Sequence, residues 1–136
     1  MKLALNEAQN AFDENEVPVG CIIVCENKII GKGYNLTERL NDVTAHAEMQ
    51  AITAASSYLG AKYLNESTMY VSLEPCVMCA GAIFWAQVGT LVYGASDDKR
   101  GFSKVGNLLH PKTEIIQGIM ADEASRLMKE FFNKLR

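Results

Sequence analysis

"STMYVSLEPCVMCAGAIFWAQVGTLVYGA", residues 67 to 95, carries the fold in miniature. Residues 67–73 have the β-branched and aromatic composition of a strand, and "TLVYGA" (90–95) has it again. Between them Pro75 falls at or near the first turn of a predicted helix over 76–87, where a missing N–H costs little. A strand, a helix and a second strand in so short a stretch imply a sheet with helices packed on it.

Upstream, Leu5, Ala8 and Phe12 recur at helical spacing over residues 2–14, until Pro18 and Gly20 of "EVPVG" end the pattern. "VGCIIVC" and "KIIGKGY" read as two strands of a hairpin around Glu26 and Asn27, without a strong Asn-Gly turn. An alanine-rich helix over 44–59 stops at Gly60, and Thr44 or Asp42 is placed to cap it. Downstream, the polar segment 96–111 leads to a fifth strand in "KTEIIQG". It is long enough for a crossover, which would make the last two strands parallel, and a looped hairpin is the alternative. A final amphipathic helix over 121–135 sets Leu127, Met128, Phe131, Phe132 and Leu135 on one face as core. The order α-β-β-α-β-α-β-β-α specifies an α/β protein: a five-stranded mixed sheet with helices on both faces, in three layers.

With 136 residues and 49% hydrophobic content the chain is expected to be one domain, 1–136, with a core that needs no staples. No apolar run reaches the ~18 residues of a membrane span, and the first residues turn polar too soon for a signal peptide, so a soluble, cytoplasmic protein is expected. The four cysteines then read as reduced thiols, used for metal or packing. Cys21 and Cys25 lie ~13 Å apart along a strand, too far for a disulfide, and read as small buried hydrophobes. A net charge of −3 argues against a generally basic surface and leaves room for a local basic patch.

"TAHAEMQA" (44–51) places His46 and Glu48 two positions apart, which do not share a face inside a helix and can act together only where one begins. Cys76 and Cys79, three apart, occupy the first turn of the next helix, the usual thiolate chelate for zinc. Both junctions offer unpaired N–H groups and the positive end of a helix dipole. His46, Cys76 and Cys79 are three ligands for an ion that takes four. A catalytic zinc leaves the fourth position to water, whose pKa coordination can lower to about 7. Glu48 beside it can shuttle the proton to a ring nitrogen and a leaving amine, as attack on an amidine-like carbon such as C6 of adenine requires.

The alternatives are specific. His110 could complete a structural Cys2His2 site, although Glu48 would then have no task. Lys99, Arg100 and Lys104 could be a wet loop or a substrate contact. Lys129, Lys134 and Arg136 read first as a solvated helix face.

H-x-E followed by P-C-x-x-C is identified as the signature of zinc nucleobase deaminases. Nearly the whole chain resembles the tRNA adenosine deaminase branch of the cytidine deaminase-like superfamily, through "EVPVG", "GKGYN", "DVTAHAE", "YVSLEPCVMCAGAI", "VYGASDDKRG" and "GIMADEASRLMKEFFNKLR". The resemblance implies the cytidine deaminase-like fold, one Zn2+ per chain and a homodimer with no membrane partner. It also implies hydrolytic conversion of the wobble adenosine of a tRNA anticodon loop to inosine. It assigns the zinc to His46, Cys76 and Cys79 and proton transfer to Glu48. Asn35 would hydrogen-bond the flipped base, Val17, Ala47 and Leu73 would line its pocket, and Asp97 would lie near the adjacent nucleotide. Three features depart from the branch: Val43 stands for a proline, "SKVGNLLHPKTEI" is short, and "FWAQ" with Trp85 is closer to guanine deaminases. Deamination of a free purine base or nucleoside such as guanine is therefore the second reading, and a zinc-stabilised binding module without turnover the third.

Overall fold

A computed structural model describes residues 1–135, so Arg136, read above as part of a solvated helix face, lies outside the described residues. The elements follow the expected order: α1 (Lys2–Asp13), β1 (Gly20–Cys25), β2 (Lys28–Tyr34), α2 (Ala47–Leu59), β3 (Thr68–Leu73), α3 (Val77–Ala86), β4 (Thr90–Ala95), β5 (Glu114–Gln117) and α4 (Ala121–Lys134). They build one sheet in the order β2-β1-β3-β4-β5. β1 runs antiparallel to β2 and β3, whereas β3, β4 and β5 are parallel, so the segment after β4 is a crossover.

The strand period of two divides the sheet between two helical layers. Cys21, Ile23, Met69, Val71, Leu91 and Tyr93 point into the main core with Ala47, Ala51 and Ala55 of α2 and Ala80 and Ile83 of α3. The alternate residues meet α1 and α4: Gly20 lies against Ala4 and Ala8, and Gly94 against Ala124. The architecture is the three-layer α/β/α sandwich that the element order implied. On the α2 side Gly31 and Gly33 of β2 lie against the α2 backbone, where a Cβ on Gly33 would stand 2.7 Å from the Ala47 carbonyl oxygen. Helix and strand therefore meet backbone to backbone.

The β1–β2 hairpin forms as expected, and local chemistry departs from expectation in three other places, in α2, α1 and α4. The β1–β2 turn works without glycine because Glu26 (φ 51°) and Asn27 (φ 61°) are both left-handed, as a type I′ turn demands. Helix α2 begins at Ala47 with His46 as its N-cap, three residues later than expected. Neither Thr44 nor Asp42 caps it, because the Asp42 carboxylate accepts from the Thr44 N–H at 2.8 Å and its hydroxyl at 2.7 Å, closing a turn before the helix. In α1 the buried stripe is Ala4, Ala8 and Ala11, small residues that let the helix press onto Gly20. In α4 only Ala124 and Phe131 are fully buried, while Phe132 and Leu135 are 45% and 61% exposed. The sheet and α1 cover one narrow stripe of that helix, so the apolar face is wider than the core behind it.

The cysteines are all free thiols. Cys21 is buried in the main core and Cys25 packs against it, as the packing reading has it.

Candidate metal centre and the cleft above it

N-cap positions favour Ser, Thr, Asp or Asn, whose oxygens satisfy the first free N–H groups. Here His46 caps α2 and Cys76 caps α3, and neither side chain makes a capping bond. Both residues are extended, His46 at φ −75°, ψ 156° and Cys76 at φ −74°, ψ 175°. Released from capping, the side chains turn toward one another. Cys79, the third residue of α3, completes a group whose ligand atoms all lie within 4.8 Å of one another. The His46 Nδ1 atom stands 3.6 Å from Cys76 Sγ and 3.5 Å from Cys79 Sγ.

Those distances are a direct test of fit. A tetrahedral zinc with Zn–S about 2.3 Å and Zn–N about 2.1 Å has an S···N edge of about 3.6 Å. The donor set, two thiols and an imidazole, is the soft set that zinc takes. His110 is elsewhere: its Nδ1 accepts from the Lys112 N–H at 3.1 Å and its ring lies 5.9 Å from that of Phe84. It is not in the ligand group, so the Cys2His2 alternative is not realised among the described residues.

Proton affinities at the centre are strongly displaced. A hydrogen bond from the Cys79 thiol, aided by His46, draws the Cys76 thiol down to about 4. Cys79, which keeps that proton and is buried, is pushed far up. The bond to Cys76 raises His46. Glu48, on the first turn of α2 and 3% exposed, is lifted by burial to about 7. A carboxylate that exchanges its proton near neutrality suits general acid–base work.

Above the centre opens a cleft of about 810 Å³. Val17, Asn35, His46, Ala47, Glu48, Leu73, Cys76 and Asp97 all line it; of the residues singled out in the sequence as site residues, only Cys79 does not, lying fully buried behind Cys76. Asn35 is 7% exposed; its amide donates to the Val17 carbonyl at 3.3 Å and accepts from the Thr37 N–H at 3.3 Å. One N–H and one lone pair remain to meet a ligand. Lys99 and Arg100 reach the cleft rim, whereas Lys104 is exposed and not part of it. Trp85 is 76% exposed on α3 and does not line the cleft.

Val19, Thr37, Glu74, Met128 and Phe132 also line the cleft and were not foreseen there. Met128 and Phe132 share the i, i+4 spacing of core residues, and that pattern does not say whether a core or a cleft lies opposite. Glu74, directly before the P-C-x-x-C motif, was a signal in plain view: an acid between a strand and a buried helix needs a partner.

Residues 1–95 match the model of the cytidine and deoxycytidylate deaminase zinc-binding region. A tRNA-specific adenosine deaminase of Aquifex aeolicus (strain VF5) is 45% identical over 100% of this chain and 93% of its own length. Among solved structures, one from a study of A-to-I editing by tRNA:A34 deaminases at the wobble position of transfer RNA superposes with a TM-score of 0.87 at 38% identity. It covers 93% of this chain and 96% of its own. A guanine deaminase from Bacillus subtilis has a TM-score of 0.67 at 40% identity, covering 70% of this chain and 61% of its own.

Proposed function

We infer that this chain, which belongs to the cytidine and deoxycytidylate deaminase zinc-binding family, is a zinc-dependent hydrolase that converts adenosine to inosine at the wobble position of a tRNA anticodon. The observation that carries the chemistry is the juxtaposition of His46, Cys76 and Cys79 within 4.8 Å at the floor of a cleft that Glu48 also lines. The choice of base and RNA is supported by the full-length similarity to the Aquifex enzyme.

In this reading His46 Nδ1 and the two cysteine sulfurs hold the ion. What zinc supplies when bound is Lewis acidity, enough to make water a nucleophile near neutral pH. Glu48 takes one proton of the attacking water and passes it to the purine N1, then takes the second from the hydroxyl left on C6 and passes it to the departing N6. The C6–O bond forms, the C6–N6 bond breaks, and ammonia leaves. Asn35 offers its free N–H and lone pair to the purine edge, while Val17, Ala47 and Leu73 enclose the unstacked ring. Asp97, Lys99 and Arg100 at the rim address the neighbouring nucleotide and its phosphates.

The same reading makes 1–136 one deaminase domain that works in the cytoplasm as a homodimer. No helix among the described residues is long and apolar enough to cross a membrane. Pairing is supported by the outer flank of α2 and α3, where Tyr58, Val77 and Trp85 are 62%, 48% and 76% exposed. Trp85→Glu is expected to shift the protein from dimer to monomer in sedimentation velocity; an unchanged sedimentation coefficient would place the pairing surface elsewhere.

The deciding experiment offers transcribed anticodon stem-loops beside free adenosine, guanine and cytosine, with zinc measured on the same sample. Inosine at the wobble position and about one zinc per chain are expected. Conversion of free guanine with an untouched stem-loop would overturn the tRNA reading in favour of a free-base deaminase. Stem-loop affinity should also fall steeply with added salt if Lys99 and Arg100 meet phosphates.

A further inference from the structure

We propose that Glu74 is a positioning residue that sets the enzyme's hold on its RNA by anchoring the 97–103 loop over the cleft. The proposal rests on the reading of the cleft as the RNA site.

Glu74 is 3% exposed and lies between β3 and α3, one residue after Leu73 and two before Cys76. Among the described residues it has no cationic partner. Its two oxygens instead take the two ends of one loop. Oε1 accepts from the Asp97 N–H at 3.1 Å, and Oε2 accepts from the Ser103 N–H at 3.0 Å and the Ser103 hydroxyl at 2.6 Å. Every partner is a donor, so the group serves as an acceptor-only carboxylate. The loop folds directly over it: a Cβ on Gly101 would stand 2.3 Å from the Glu74 Cδ. Only a hydrogen fits there.

The restraint then passes outward. Asp97 Oδ1 accepts from the N–H groups of Lys99 and Arg100, each at 3.0 Å, and the Gly101 N–H returns to the Asp97 carbonyl at 3.0 Å. Asp97, Lys99 and Arg100 all line the cleft. The buried carboxylate thus fixes the backbone from which the rim side chains project. If the site needed only to be filled, an apolar residue would do so without burying a charge. A second buried acid, outside the cleft lining, also holds backbone N–H groups. Glu16, 1% exposed, accepts from the N–H groups of Glu38 at 3.0 Å and Arg39 at 2.7 Å, just beyond Asn35 and Thr37.

Glu74→Gln keeps the shape and removes one acceptor. Its single amide oxygen would turn to the two donors of Ser103, leaving its NH2 against the Asp97 N–H, so the Asp97 end is released. Gly101→Ala attacks from the other side, lifting the loop while Glu74 stays intact. With an anticodon stem-loop, both variants are expected to raise KM ~10-fold or more, with a smaller change in kcat and full zinc content. Ser103→Ala, which deletes only the hydroxyl, should move KM less than either. Unchanged KM in both variants, or a loss confined to kcat with zinc depleted, would overturn the proposal. Amide hydrogen exchange separates this from the substrate reading. If wild-type protein leaves the stem-loop unconverted, that reading falls, and faster exchange at Asp97 and Ser103 in Glu74→Gln still upholds the anchor. Unchanged exchange defeats it.

Discussion

Glu48→Gln is expected to lower kcat about a thousandfold or more while zinc content stays at the wild-type level. Glutamine fills the same space on the first turn of α2, and none of the three ligand atoms belongs to residue 48. On the proposed mechanism, what is lost is a proton carrier inside the cleft. A variant that keeps its zinc and its rate would remove Glu48 from the chemistry. A variant that loses both would make it a structural support.

The same substitution has an opposite effect on stability, readable in chelator-treated protein. Burial raises Glu48 from 4.5 to about 7 in the folded chain. The folded state therefore binds the proton more tightly than the unfolded state. The resulting stability is complete below about pH 4.5 and is lost as pH rises through about 7, roughly 3 kcal/mol between the limits. Glutamine does not ionise. Urea midpoints of the two metal-stripped proteins should agree near pH 4 and diverge by pH 8, with Glu48→Gln the more stable by about 3 kcal/mol. Parallel pH profiles would show that Glu48 is solvated in the folded chain.

Gly33→Ala is expected to destabilise the protein by about 3 kcal/mol and to weaken zinc binding ~10-fold or more. The added methyl would meet the Ala47 carbonyl oxygen at 2.7 Å and Gln50 Cβ at 2.9 Å. Ala47 stands between His46 and Glu48, so relief of the clash displaces the turn that carries both. Gly31→Ala is the control. Its methyl would meet the Ala51 carbonyl oxygen at 2.4 Å, further along α2, and should cost comparable stability with less effect on the metal. Denaturant midpoints and competition with a chromophoric chelator measure the two quantities separately. Equal zinc affinity in Gly33→Ala and wild type would show that the centre does not depend on the seating of α2.

The element order was legible because strand composition and helical spacing alternate cleanly along the chain. The centre was legible too, since H-x-E and C-x-x-C put donors at helix starts, where their spacing makes chemical sense. The start of α2 was misplaced because Asp42 and Thr44 have the right chemistry for a cap and use it on each other. The acids Glu16 and Glu74 are harder to place from the sequence because most of their partners are backbone N–H groups more than twenty residues away; only the position of Glu74 directly before P-C-x-x-C points to a role. Phe132 was assigned inward because apolar spacing gives a direction and not a depth. The direction of β5 is not legible in the sequence for a similar reason: a long polar connection permits two directions, and pairing with β4 chooses between them.

His46 and Cys76 leave the chain from nearly matching extended residues, each immediately before a helix. The dimensions of the centre are thus inherited from where two rigid rods begin. The exposed side chains bordering the opening can vary in charge while the reactive machinery beneath keeps its measure. Exchanging residues 36–45 and 97–103 for those of a relative acting on another base should therefore re-aim the enzyme before it disarms it.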